Sequence, residues 1–311
     1  MWLIKALVQH KSYIILLLVL ISLQQLFLYA KVVGFEKNET MASKWALTAY
    51  NFGGLEKLEP HDQISLLKSK GYEGIILRGA KQENSNHLDV FINETRTTIN
   101  FDIQSVFVRY NFLDTELERN RWKTVVDKIA GKDIQLWFIY GKIAEGFSDV
   151  FIEYKLRELA NYAAQNKVEV ILCHHSKCYI ESAEEVLFFV SKINHPNLNL
   201  AIHLYHEIRA ENGSRIPEDF ENVKHKLGAV TMAGADSIAD FTTALSMDRS
   251  TIKVLGQGNF EMKNFIQALK KSEYVKPVGF MNFRIEKEPE VYLETTSNMW
   301  EKLLVNEMPE K

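Results

Sequence analysis

From Trp45 onward, short apolar runs alternate with longer stretches of helical period. The runs read as strands at Ala46–Tyr50, Gly74–Arg78, Gln104–Tyr110, Ile134–Tyr140, Val168–Cys173, Leu198–His203, Ala229–Ala233 and Val278–Phe283. Helical patterns lie between them at His61–Ser69, Glu116–Ile129, Asp149–Gln165, Ser182–Lys192, Pro217–Lys226 and Phe260–Lys271, and a last one covers Glu290–Leu304. In Phe151–Tyr162 the residues Phe151, Tyr154, Leu156, Leu159 and Tyr162 fall near one stripe, as a helix packed on one side requires. The centres of several strands, such as Val170–Cys173 and Leu200–Ile202, are wholly apolar, which suits strands covered on both faces. Strand–helix alternation implies a parallel sheet. Eight strands with a helix after most of them predict an α/β fold, the (β/α)₈ TIM barrel. An open doubly wound sheet is the competing architecture. No G-x-G-x-x-G supports it, and Gly256-Gln-Gly258 precedes a helix instead of directly following a strand.

The first thirty residues follow another pattern. Met1–Ser12 carries Lys5 and Lys11 and no acid, and an apolar run from Tyr13 to Ala30 is broken only by polar residues such as Gln24 and Gln25. This is the layout of a signal peptide or signal anchor, with the positive flank held in the cytoplasm and the remainder exported to a periplasmic or extracytoplasmic space. Leu28 makes Leu28-Tyr-Ala30 a poor cleavage site, so removal and retention as a membrane anchor both stay open. The expected organisation is residues 1–30 as signal or anchor, 31–44 as spacer and 45–306 as barrel. Asn38-Glu-Thr, Asn93-Glu-Thr and Asn212-Gly-Ser fit the glycosylation sequon, which matters only in a eukaryotic secretory pathway.

Composition narrows the classes further. With 46% hydrophobic residues the chain has material for a large core, which excludes a disordered chain. Lys and Arg number 37 against 40 Asp and Glu, a balance that argues against a dedicated nucleic-acid binder. Two cysteines cannot form a disulfide scaffold.

In a barrel of this kind, chemistry gathers where strands end. The predicted strand ends present Asn51, Arg78, Arg109-Tyr-Asn111, Tyr140-Gly-Lys142, Cys173-His-His175, His203-Leu-Tyr-His206-Glu207, Gly234-Ala-Asp236 and Asn282-Phe-Arg284. Four of the nine histidines flank strands five and six. His174, His175, His203 and His206 invite a metal reading, though Cys173-His-His-Ser-Lys-Cys178 matches no standard zinc spacing. In an extended segment Cys173 and His175 share a face and His174 points away. Packing and loop hydrogen bonds are the plainer use of such histidines, and in an oxidising compartment Cys173 and Cys178 are candidates to pair. Arg78, Arg109 and Arg284 suit an anionic or polyhydroxylated ligand, or else structural ion pairs. Tyr110, Tyr140, Tyr205 and Phe283 are candidates to stack on a sugar ring or simply to fill the barrel top. Glu207 and Asp236 are the acids placed to act as bases or to cap helices.

Several segments, taken in order, resemble the xylose isomerase-like barrels often described as sugar phosphate isomerases/epimerases. Ala49-Tyr-Asn51-Phe-Gly53, Pro60 and Lys70-Gly-Tyr-Glu-Gly74 resemble the family's first strand, helix and second strand. Val170–His175 resembles a subgroup's "L-Y-P-H" strand end, His195-Pro-Asn-Leu198 through His203–His206 its "N-L-C-H", and Val230–Asp236 its "V-x-I-N-G-A-D". Leu255–Phe260, Tyr274, Pro277–Gly279 and Phe283 resemble the last unit. The resemblance covers most of residues 45–304 and implies a divalent ion held by Glu, Asp, His and Glu at strand ends. This chain departs from that set: strand five offers Cys173–His175, strand six His203, and strand eight Met281 and Asn282. Ala233 also replaces a subgroup Asn. A divalent metal cofactor therefore stays open, with its usual carboxylates missing.

The function this implies is proton transfer next to a sugar carbonyl, as in an isomerase or epimerase. His175, His206 and Asp236 are the catalytic candidates; Asn51, Arg78, Arg109, His203 and Asn282 would bind substrate. The alternative is a catalytically inactive barrel that binds carbohydrate. An abasic-site endonuclease of the same superfamily would need a metal cluster and a basic groove, and neither is evident. The expected partners are a small carbohydrate and, if the N-terminus is retained, a membrane.

Overall fold

The computed structural model describes residues 45–79, 82–141 and 148–306. The signal or anchor and the spacer expected at 1–44, and Lys142 at the fourth strand end, lie outside the described residues. Eight parallel strands close into a barrel in chain order: β1 (Leu47–Tyr50), β2 (Gly74–Arg78), β3 (Asp102–Tyr110), β4 (Gln135–Tyr140), β5 (Val170–Leu172), β6 (Leu198–His203), β7 (Leu227–Met232) and β8 (Val278–Phe280). The ladder closes where Leu47, Thr48 and Ala49 of β1 pair with Val278, Gly279 and Phe280 of β8. Outside run α1 (Pro60–Ser69), α2 (Gln82–Thr97), α3 (Glu116–Arg119), α4 (Arg121–Ile129), α5 (Asp149–Gln165), α6 (Ala183–Ile193), α7 (Leu204–Arg209), α8 (Ile216–Val223), α9 (Ala244–Thr251), α10 (Met262–Lys271) and α11 (Pro289–Asn306). Among the described residues no helix is long and apolar enough to cross a membrane.

Period-two alternation sends one set of side chains into the barrel and the other against the helices. Inside, Tyr50 of β1 meets Phe107 of β3 and Trp137 of β4, with ring centroids 5.9 Å apart in each pair. Rings of this size need small residues opposite. A Cβ on Gly279 would lie 2.6 Å from Ile76 Cδ1 and 3.1 Å from Thr231 Cγ2, and one on Gly228 would lie 2.3 Å from Ile171 Cδ1. Outside, helices bury stripes such as Phe265, Ile266 and Leu269 of α10, and Phe220 of α8 meets Phe265 edge-on at 5.3 Å. Polar side chains line the N-terminal end of the barrel. Glu169 accepts hydrogen bonds from Gln135 (2.8 Å), Asn199 (2.7 Å) and Lys276 (2.8 Å).

Three differences from the sequence expectation have local causes. Helix α2 is polar by composition, and among its described side chains Leu88, Phe91 and Ile92 turn inward, at the three- and four-residue spacing of a helix face. The helix expected at Glu116–Ile129 breaks at Asn120 into α3 and α4; the capping box of Thr115 and Glu118 starts the short first piece. Strand six ends at His203 and turns at once into α7, so His206 and Glu207 stand on a helix instead of a strand end.

Candidate functional site

The C-terminal mouth is built around the turn that follows β5. Cys173 is buried, and beyond it His174 and His175 point to opposite sides, as extended backbone requires. His175 faces the mouth. Its Nδ1 lies 2.8 Å from the Ser176 carbonyl oxygen; a carbonyl only accepts, so Nδ1 carries the proton and Nε2 the lone pair. That lone pair accepts from Arg109 Nη2 at 2.6 Å. Burial first, then the Arg109 guanidinium, push the His175 pKa down to about 3.

His206, one helical turn beyond His203, is the hub of the cluster. Its ring centroid lies 4.1 Å from that of His175, 4.6 Å from His203 and 5.8 Å from His174. The Ser176 backbone N–H donates to His206 Nδ1 at 3.1 Å, which places the proton of the neutral ring on Nε2. His203 packs inside the barrel with Nε2 3.2 Å from Tyr50 Oη, while its buried Nδ1 has no partner. Burial, with the neighbouring imidazoles, holds His206 and His203 well below the ordinary imidazole range. At neutral pH the half-buried His175 at the mouth and the buried His203 and His206 beneath it are therefore all neutral.

His174 faces the barrel wall. Its Nε2 lies 2.8 Å from Glu207 Oε1, off the line of a good hydrogen bond, and both side chains are buried. Glu207 also accepts from Ala183 N at 2.7 Å, at the start of α6, and from Asn212 Nδ2 at 3.2 Å. Burial alone would raise this carboxyl; His174 and the two donors outweigh it and hold the group below its usual value.

A row of half-buried aromatic rings borders the cluster. Phe52 packs on Phe107 at 5.8 Å and on Phe283 at 5.3 Å, and the Arg284 guanidinium sits 5.1 Å over Phe283. Arg109 stands two residues beyond Phe107 on the same face of β3. Behind them Arg209, buried on α7, donates to Thr251 (3.1 Å) and pairs with Asp248, which also takes Arg284.

A sequence model of the xylose isomerase-like TIM barrel matches residues 147–302, half of the chain. The chain belongs to the xylose isomerase-like TIM barrel family. No curated protein matches it. Solved structures share the fold at low identity. One is described as the "IOLI protein with a binding zinc atom": TM-score 0.67, 16% identity, covering 85% of this chain and 100% of that one. Another is the 3-keto-D-glucoside 4-epimerase YcjR from E. coli: TM-score 0.63, 14% identity, 83% and 99%. A third is the probable 3-DHS dehydratase AsbF from Bacillus anthracis: TM-score 0.62, 15% identity, 85% and 100%.

The family resemblance implies a divalent ion, and the donors at this family member's strand ends do not fit one. The His175 Nε2 lone pair faces a guanidinium, and the His206 Nδ1 lone pair accepts a backbone N–H. Burial pushes the Cys173 thiol up, away from the thiolate a metal binds. Among the described residues no three His, Cys, Asp or Glu side chains converge to hold an ion.

Of the residues singled out from the sequence, His175, His206, His203 and Arg109 come together. The others take different partners. Asp236 pairs with Lys253 (2.7 Å), because the loop after β7 is tied back to the segment after α9. Asn282 is fully buried and donates to the Phe52 carbonyl (2.9 Å) and Tyr292 Oη (3.0 Å), locking the loop after β1 to α11. Asn51 donates to Gln63 on α1 (2.8 Å). Arg78 is exposed and has no partner among the described residues. Cys173 and Cys178 form no disulfide with each other. The turn from His175 to Cys178, with Lys177 at φ +63°, places Cys178 Sγ 3.4 Å from His175 Nδ1 instead of against Cys173. Tyr110, Tyr140 and Tyr205 are buried packing residues. The accessible rings are Phe283, which was expected, and Phe52 and Phe107. Their signal was the inward register of β1 and β3, which apolar runs alone do not reveal.

Proposed function

We propose that this protein is a sugar isomerase/epimerase-like barrel that holds a small carbohydrate at its C-terminal mouth and moves a proton next to the sugar carbonyl without a divalent ion. The observation that carries this reading is the 2.6 Å contact between Arg109 and the lone pair of a neutral His175, beside a row of accessible aromatic rings. A carbonyl oxygen that draws the guanidinium to itself uncovers His175 Nε2. Arg109 then stabilises charge developing on that oxygen while Nε2 accepts the proton from the adjacent carbon. The same Nε2–H then returns the proton, on the same face, to the former carbonyl carbon, while the neighbouring hydroxyl passes its proton to the former carbonyl oxygen and becomes the new carbonyl. His206, buried beneath the mouth, packs against the His175 ring and holds its orientation. The apolar run at 13–30 supports an exported location, which protease accessibility in intact cells tests.

One observation favours a second reading, a sugar-binding barrel without turnover. Burial and the Arg109 guanidinium lower the His175 imidazole to about 3, which makes it a weak base. Deuterium exchange separates the readings. The full-length protein is incubated with aldoses and ketoses in D₂O, with and without a chelator, and the proton beside the carbonyl is followed by NMR. Exchange that survives the chelator and is lost in His175→Ala supports the proposal. Saturable sugar binding without exchange supports the silent barrel. Neither binding nor exchange overturns both.

A further inference from the structure

A second concavity shares no residue with the mouth. It opens between the segment joining α7 to α8, the loop after β7 and the start of α10, and its volume is about 600 Å³. Pro217, Ile238, Phe241 and Phe260 give it an apolar wall. Ile238 is 80% exposed and Phe241 53%, so two large apolar side chains of this wall stand in water. The loop that carries them is tied down along its length. Ser237 N donates to Asn259 Oδ1 at 2.7 Å, Asp240 N to Ser250 Oγ at 2.8 Å, and Phe260 N to the Ala235 carbonyl at 2.9 Å. These ties hold the hollow in shape without a ligand.

The charged side chains that line it are both acids, Glu211 and Glu261. Both are exposed, and neither forms an ion pair with another described residue. The surrounding charges do not reverse this sign. Arg215 is shared between Glu184 at 3.1 Å and Glu218 at 3.8 Å, Arg209 is buried against Asp248, and Lys253 answers Asp236. Those pairings leave Glu211, Glu261 and Asp240 against Lys263, which follows Glu261 on α10 and does not line the hollow.

We infer that this hollow binds a small organic cation, an ammonium group carried on an apolar body. The inference is independent of what the mouth holds. The volume lies in the range of small-molecule pockets, which are mostly apolar with a few polar groups that fix orientation. The apolar body would cover Ile238 and Phe241 and take their surface out of water. The ammonium would meet the carboxylates of Glu211 and Glu261, and the faces of Phe241 and Phe260 attract a cation as well. An anion would meet like charge at both glutamates, and a neutral ligand would gain the apolar contact alone.

The test is ligand-observed NMR titration of the full-length protein with phenethylammonium, its neutral isostere phenethyl alcohol, the anion phenylpropionate, and methylammonium. Phenethylammonium is expected to bind about tenfold more tightly than the alcohol, and the anion and methylammonium more weakly than either. The preference should shrink with added salt. It should vanish in the Glu211→Gln, Glu261→Gln double variant, and Phe241→Ala should weaken phenethylammonium and the alcohol alike. All three substitutions are at exposed positions, and melting temperatures confirm that the variants fold. Equal binding of the ammonium and the alcohol overturns the inference, because the acids would then select nothing. Equal binding of methylammonium and phenethylammonium overturns it too, since the apolar wall would be idle. A preference that survives the double variant places the cation elsewhere and overturns it, as does the absence of phenethylammonium binding at millimolar concentration.

Discussion

Removing the Glu207 side chain tests the architecture behind the mouth most directly. Glu207→Ala deletes a buried carboxylate that faces His174 at 2.8 Å and accepts from Ala183 N at 2.7 Å and from Asn212 at 3.2 Å. Breaking a buried pair by taking one partner typically costs about 3–5 kcal/mol, because the group left behind stays desolvated. For a domain of this size each kcal/mol lowers the melting temperature by roughly 2 °C. The expected loss is therefore about 6–10 °C at neutral pH, read by circular dichroism. Glu207→Gln keeps the shape and an acceptor for the Ala183 N–H and should lose about half as much or less. The pH dependence has a definite sign. The Glu207 carboxyl is held below its unfolded value, so its contribution is complete above the unfolded pKa and fades as pH falls through the folded one. The gap between wild type and Glu207→Ala should therefore narrow in acid. A variant melting within about 2 °C of wild type at neutral pH would refute the claim that this pair supports the site.

Other outcomes follow from the same geometry. Arg109→Gln should raise the His175 pKa above its value of about 3, seen in the pH titration of its ring protons by NMR; an unmoved titration would separate the two groups. Asp219 is buried on α8 with Oδ2 unpartnered, and its pKa is pushed up to about 7, first by burial and then by Glu207. Ionising it in the folded state costs stability as pH rises toward that value, so Asp219→Asn should raise the melting temperature at pH 8 and leave it little changed near pH 4. A thiol reagent should label Cys178 in the native protein and Cys173 only after unfolding, because Cys173 is buried with a raised pKa; equal labelling rates would contradict the burial. Gly53 has φ +65°, and a Cβ there would lie 2.6 Å from the Asn282 carbonyl oxygen. Gly53→Ala should therefore destabilise by at least about 1 kcal/mol, and a neutral result in denaturant unfolding would show that the loop after β1 yields.

The barrel is legible in the chain because each strand is a short apolar run bounded by polar residues, and β2 matches the expected Gly74–Arg78 throughout. Alternation from Cys173 also places His175 toward the mouth and His174 away from it. What pattern cannot supply is lateral partnership. Asp236 and Asn282 stand at strand ends as expected, yet their side chains are claimed by Lys253 and by the Phe52 carbonyl, choices made by loop paths across the barrel. The placement of His206 was hidden by α7, a helix of six residues whose N-cap is His203, with no Ser, Thr, Asp or Asn to signal a start. The guanidinium on His175 joins residues 109 and 175, and no local spacing announces a contact of that range.

Asp248 has a mechanical meaning beyond charge. It stands on α9, after β7; Arg209 belongs to α7, after β6; Arg284 follows β8. A single carboxyl thus pins three successive loop segments together. These segments cannot drift apart independently over evolutionary time. A change in any one of them must either preserve that rivet or rebuild the whole quadrant of the rim, which makes Asp248 the first position to hold fixed when this face of the barrel is redesigned.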